Sequence, residues 1–176
     1  VRLVGVEASA GHVAFLRRHF ADNGLDPDRH TLLHGAVAAA DGWVTFPDLP
    51  DPAADYGAAV AGDATFATRK TDGPGTRVRA YSIPTLLDEF VHVDLLHVDV
   101  QGAEADVLRA AGDTLTRKVR RVVVGTHGRE LEQRLMEHFS AAGWLLEADE
   151  ACRYRPHGDG LALVADGCQV WWNPRV

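Results

Sequence analysis

Asp99 and Glu104 flank a glycine turn, Asp99-Val100-Gln101-Gly102-Ala103-Glu104, directly after the apolar run Val93 to Val98. Where a strand of an open α/β sheet gives way to a turn and a helix, its carboxyl end borders the crevice in which ligands bind. A carboxylate at Asp99 can orient a hydroxyl group or take its proton, given hydrogen-bond reach. Glu104 falls in the first turn of the next helix and reads first as an acid favoured by the helix dipole. Gly102 lets the backbone turn tightly between strand and helix.

His127 follows a second apolar run, Val119 to Val124, and shares a sheet edge with Asp99 if the two strands are neighbours. An imidazole titrates near neutrality and can remove a hydroxyl proton. A strand-end histidine bonded to a nearby loop is an equally open reading. His97, inside the first run, reads as a satisfied core histidine. Glu7 ends the run Arg2 to Val6, where a carboxylate can accept hydrogen bonds from the vicinal hydroxyls of a ribose; a first-turn acid is the alternative. Asp99, Glu104 and His127 also offer oxygen and nitrogen ligands. No close pair such as His-x-x-x-His accompanies them, and no metal is assigned.

Holding these groups requires strands that alternate with helices. Val13, Leu16 and Phe20 recur at helical spacing after Glu7, and Asn23-Gly24 stops that helix. His30 to Val37 reads as a strand, Asp41-Gly42 as a tight turn, and Trp43 to Phe46 as a short strand. Residues 47–76 turn to Ala, Gly, Asp and Pro, a flexible or lid-like insertion with a strand or helical turn at Ala64 to Thr68. Arg77 to Tyr81 alternates, Ser82 caps a helix through Phe90, and Ala103 to Ala111 forms a helix stopped by Gly112. The basic run Arg117 to Arg121 reads as a solvated loop. Leu131, Leu135, Met136 and Phe139 mark another helix, and Trp144 to Glu147 a strand. Leu161 to Val164 and Gln169 to Trp172, joined through Asp166-Gly167, read as a terminal hairpin. The whole predicts one domain over residues 1–176, an α/β fold with a mostly parallel sheet that ends in an antiparallel hairpin.

The chain has 176 residues, 46% hydrophobic and 24% charged, enough apolar material for a real core. A net charge of −7 disfavours a nucleic-acid partner. No apolar run approaches the about 20 residues that span a bilayer, so no membrane partner is expected. Cys152 and Cys168 match neither a zinc pattern nor a disulfide framework and suit a reducing cytoplasm. The chain opens inside a strand pattern, and its single methionine is Met136, so residues upstream of Val1 are expected to have been removed. No signal peptide is visible.

The segment Val93 to Ala111, with its core Asp99 to Glu104, resembles the signature of the FkbM family of S-adenosylmethionine-dependent methyltransferases. Val4-Gly5-Val6-Glu7-Ala8-Ser9 is similar to that family's second strand. His34 to Val37 with Asp41-Gly42 resembles its third, and Asp166-Gly167 before Asn173 its final hairpin. The family commonly has an acidic residue where Gln101 stands, and often one near Gly125. The resemblance implies a Rossmann-like class I methyltransferase sheet, N-terminally truncated, with the first strand and glycine-rich loop absent. It implies S-adenosylmethionine as cofactor, Glu7 on the ribose, backbone at Ala36 against the adenine, and Asp99 and His127 as catalytic residues. The expected reaction is O-methylation of a small-molecule or carbohydrate acceptor, a sugar or secondary-metabolite hydroxyl. Two other readings stand beside it: a nicotinamide-dependent oxidoreductase, which Glu7 would serve equally, and a non-catalytic interaction module with a methyltransferase-like fold. The oligomeric state is open.

Overall fold

The short apolar run before Glu7 forms strand β1 (Val4–Glu7), which pairs in parallel with β2 (Thr31–His34). Helix α1 (Ala10–Asp22) connects them; Ser9 caps it by accepting from the His12 amide, and Asn23-Gly24 ends it as expected. The computed structural model describes residues 1–54, 57–59 and 75–176. The element expected at Ala64 to Thr68, like most of the 47–76 insertion, therefore lies outside the described residues. So do the strand and glycine-rich loop expected upstream of Val1.

The single strand expected from His30 to Val37 breaks at Gly35. Its second part, β3 (Ala36–Val37), joins a different sheet, in which β5 (Gly75–Tyr81) lies between β3 and β4 (Gly42–Pro47). Helix α2 (Ile83–Leu86) starts at the Ser82 cap but stops short of Phe90, because the chain turns there to enter β6 (Val93–Val98).

The main sheet runs β6-β7-β11-β8, with β7 at Val119–Thr126, β8 at Leu145–Glu150 and β11 at Gly167–Trp172. Strand β6 is parallel to β7, whereas β11 lies antiparallel between β7 and β8. Helix α5 (Arg129–Ala141) carries the chain from β7 to β8. The expected hairpin is thereby corrected. β10 (Gly160–Ala165) pairs with β9 (Arg153–His157), and only Asp166 separates β10 from β11, too little chain to fold one strand back on the other. The sheets are mixed rather than mostly parallel, because antiparallel pairs join β4 to β5, β9 to β10, and β11 to both its neighbours.

Further corrections concern local elements. Gly112 opens a second helix, α4 (Gly112–Lys118), after α3 (Glu104–Ala110), so Arg117 and Lys118 end a helix while Arg120 and Arg121 lie in β7. Basic residues in a last helical turn complement the helix dipole, which a loop reading overlooks. β6 pairs only with β7 among the described residues, and the face of β6 that carries Leu95 and His97 is exposed. His97 is thus not a core histidine.

The core lies where α3, α4 and α5 meet β7 and β11. Val107, Leu108 and Ala111 of the α3 segment are buried as their spacing predicts. Phe139 of α5 is fully buried, with its ring centroid 5.1 Å from both Trp144 and Trp171. Asn173, also fully buried, donates to the carbonyls of Thr116 and Val119 and so ties the end of β11 to the α4–β7 joint. None of the described helices is long and apolar enough to cross a membrane. Phe139→Ala is expected to cost about 3–5 kcal/mol, as lost burial plus a cavity between two indoles, with a matching fall in the urea midpoint.

Candidate functional site

The turn after β6 brings Asp99 out at the strand's carboxyl end. Gln101 and Gly102 both take positive φ, 56° and 108°, a geometry that glycine adopts freely and glutamine does not. Beneath this turn lies the Glu104 carboxylate, fully buried. Its oxygens accept from the Val100 amide at 2.9 Å and from the Gly102 amide at 3.2 and 2.9 Å. Glu104 is therefore more than a helix-dipole acid: it supplies the acceptors that an otherwise open turn lacks.

Parallel pairing of β6 with β7 sets Val98 opposite Val124, and the next residues meet at the edge. Gly125 leaves room there. A Cβ on it would stand 3.1 Å from Asp99 Cγ and 3.3 Å from Oδ2, so a larger residue would displace the carboxylate. His127, whose side chain is 3% exposed, lies between the two acids. Its Nε2 is 3.3 Å from Asp99 Oδ1 and its Nδ1 is 3.1 Å from Glu104 Oε1. The Nδ1 contact has ion-pair distance without the alignment of a regular hydrogen bond.

Burial pulls the His127 pKa down, but Asp99 and Glu104 outweigh it and raise the value to about 10. Asp99 is lowered in turn, first by its contact with His127, against a smaller opposing effect of burial; His97 and Gln101 add to the lowering. At neutral pH His127 is a buried imidazolium with an acid beside each nitrogen. That geometry does not suit the proton-removing role expected of it. Asp99 Oδ1 also accepts from Gln101 Nε2 at 3.1 Å, whereas Oδ2 has no protein hydrogen bond among the described residues. The three side chains form a group with metal-ligand types. One ligand atom from each lies within 4.8 Å of the others, and the two carboxylates approach opposite nitrogens of one ring.

Glu7 ends β1. Its Oε1 accepts from the Ser9 amide at 2.7 Å and lies 3.6 Å from His12 Nδ1; Oε2 has no hydrogen bond within the described residues. Beside it a cavity of about 200 Å³ is lined by Ala8, Ser9, Gly11, His34, Phe46 and Pro52. Two described residues after β4 approach these elements. His12 Nε2 is 2.7 Å from the Pro52 carbonyl, and Gly57 lies beside the Gln101 side chain. Ala36 is packed with Phe46 and Val78 in the smaller core, so its side chain serves strand packing. The residue that sequence reasoning undervalued is Glu104. Its signal was present as a glutamate following a glycine turn that closes on a strand-end aspartate.

Comparison with known proteins adds the following. The profile of the methyltransferase FkbM domain matches residues 23–156. A protein of Jannaschia sp. (strain CCS1), provisionally named a methyltransferase, is 33% identical over 182 residues; the match covers 100% of this chain and 64% of the relative. This chain thus spans less than two thirds of that protein's length. Among solved structures, precorrin-8w decarboxylase from Methanobacterium thermoautotrophicum aligns with 97% of this chain and 69% of its own, at 15% identity and a TM-score of 0.49. The C-terminal domain of precorrin-6Y C5,15-methyltransferase from Rhodobacter capsulatus aligns with 97% and 66%, at 14% identity and a TM-score of 0.43.

The raised pKa of His127 makes stability depend on pH with a definite sign. A group lifted from 6.5 to about 10 on folding contributes fully below pH 6.5, and its contribution is lost as pH rises through about 10. Urea titrations between pH 6 and pH 10.5 should show a loss of about 2–4 kcal/mol, after allowance for the half-exposed Asp99, and His127→Gln should flatten most of it. A wild-type stability independent of pH over this range would contradict the assignment of His127 as an imidazolium.

Proposed function

This chain belongs to the FkbM-domain methyltransferase family, and from that premise we propose that it moves a methyl group from S-adenosylmethionine to the hydroxyl oxygen of a sugar or secondary metabolite. The observation that carries the reading is Asp99, a half-exposed carboxylate at a strand end, pinned through Oδ1 and with no hydrogen bond to Oδ2 among the described residues. An acceptor hydroxyl that donates to Oδ2 is thereby oriented for in-line attack.

The lowered pKa of Asp99 is compatible with this role. As the oxygen–methyl bond forms, the attacked hydroxyl becomes a much stronger acid than any carboxylic acid. A weak base in the right place then suffices, and the proton passes to Asp99 as the new bond is made. Charge on His127 keeps Asp99 ionised and ready to accept.

Support for a cofactor at the Glu7 edge comes from Glu7 Oε2, which has no hydrogen bond among the described residues, and from the adjoining cavity at the β1–α1 turn. Glu7 would hold the ribose hydroxyls, and backbone near Ala36 would border the adenine. The cofactor, when bound, supplies an already activated methyl group, so the protein's share is to bind, orient and take up one proton. Two free cysteines, Cys152 and Cys168, support a reducing, cytoplasmic setting.

Calorimetry with S-adenosylhomocysteine tests the cofactor directly. Wild-type protein should bind it, and Glu7→Ala should weaken binding tenfold or more, on the order of 1.4 kcal/mol. Unchanged affinity would remove Glu7 from the site. Radiolabelled methyl donor with a panel of monosaccharides and hydroxylated small molecules would identify an acceptor class. On any acceptor found, Asp99→Asn should keep S-adenosylhomocysteine affinity and lower turnover by roughly 10²–10⁴-fold. Failure of the wild-type protein to bind S-adenosylhomocysteine would favour a non-catalytic module.

A further inference from the structure

We infer that Glu104 is a positioning residue for Asp99, acting through His127 and through the turn that carries Asp99; the inference rests on the methyl-transfer reading given above. Glu104 is fully buried and cannot meet an acceptor. Among the described residues, the polar contacts of its carboxylate are with the turn that carries Asp99 and with His127. Two backbone amides of the turn, Val100 and Gly102, end on its carboxylate. The same carboxylate faces Nδ1 of His127, whose opposite nitrogen faces Asp99.

This arrangement leaves the ring little choice. Each nitrogen meets an acid on its own side, so turning the imidazole over would place carbon against both carboxylates and strand a buried charge. With the ring held, Asp99 Oδ1 is fixed between His127 and Gln101, and Oδ2 is the oxygen left for an acceptor. The absence of a side chain at Gly125 gives the carboxylate its space. The backbone contribution is separate. Gln101 holds a left-handed conformation that disfavours most residues, and the amides on either side of it lose their acceptor if Glu104 is removed.

The two contributions can be separated by substitution. Glu104→Gln keeps an oxygen for the turn amides while removing the charge that faces His127. Glu104→Ala removes both. The charged or titratable groups around the ring are Asp99 from the turn after β6 and Glu104 from α3. His97 of β6 acts on Asp99, and Asp99 in turn helps to raise the Cys168 thiol of β11.

The test follows the ring of His127 by long-range proton–nitrogen NMR from pH 5 to pH 10.5, in wild type, Glu104→Gln and Glu104→Ala. Amide exchange at Val100 and Gly102 and S-adenosylhomocysteine affinity are measured on the same samples. Wild type should titrate near pH 10. Glu104→Gln should titrate at least about one unit lower, a tenfold loss of proton affinity, with amide exchange within threefold of wild type. In Glu104→Ala exchange at both amides should rise tenfold or more. S-Adenosylhomocysteine affinity should stay within threefold throughout, since Glu104 touches neither substrate. A wild-type titration near 6.5, or one unmoved in Glu104→Gln, would overturn the inference, and the wild-type titration decides even if a variant fails to fold. Absence of S-adenosylhomocysteine binding to wild type would instead sink the methyltransferase reading and leave the ring titration to stand on its own.

Discussion

An imidazolium held between two carboxylates, one buried and one half-exposed, is the interaction around which this molecule is organised. Buried charge is costly to form and costly to leave unpaired. Here the cost is offset because each ring nitrogen faces an acid and the inner acid also accepts from the turn's amides. The arrangement demands that β6 and β7 be parallel neighbours in one register, since only then do their carboxyl ends deliver an aspartate and a histidine to the same point. It also demands a residue without a side chain at Gly125. A local chemical requirement thus reaches into sheet topology.

The other half of the main sheet supports β7 from its second edge. β11 lies between β7 and β8 and runs against both, and its inward residues Gln169 and Trp171 are buried. Trp171 stacks on Phe139, while the Gln169 side chain bridges the indole N–H and the Glu132 carbonyl of α5. Glu132 in turn accepts from Thr126 and from the Cys152 amide. These bonds satisfy a set of polar groups that would otherwise be stranded inside. They also anchor the segment where β7 ends and α5 begins, the segment that contains His127. Rigidity at the site is inherited from the packing behind it.

A second strand end, at Glu7, is built on different terms. Helix α1 has no fully buried residue, and its carboxylate partner is held by one backbone amide and a neighbouring histidine. Fewer buried contacts mean a lower local cost of opening. After β4, Pro52 meets His12 of α1 through its carbonyl and Gly57 lies beside Gln101.

Local pattern was enough to reveal the strand at Val93 to Val98, the helices carrying Val107 and Leu131, and the acids that end strands, because apolar periodicity and turn residues act within a few positions. The likeness of Asp99 to Glu104 to a family signature was legible for the same reason. Strand partnership was not. Gln169 to Trp172 reads as half of a hairpin with Leu161 to Val164, yet its partners are β7 and β8, a choice made by burial of Gln169 and Trp171 together on one face of a central strand. Nor could spacing assign His127, which is a possible base by residue type and a buried cation by position. By itself the sequence determined which side chains stand at strand ends; tertiary structure alone decided which of them face one another, and pKa follows from that proximity and burial rather than from residue type.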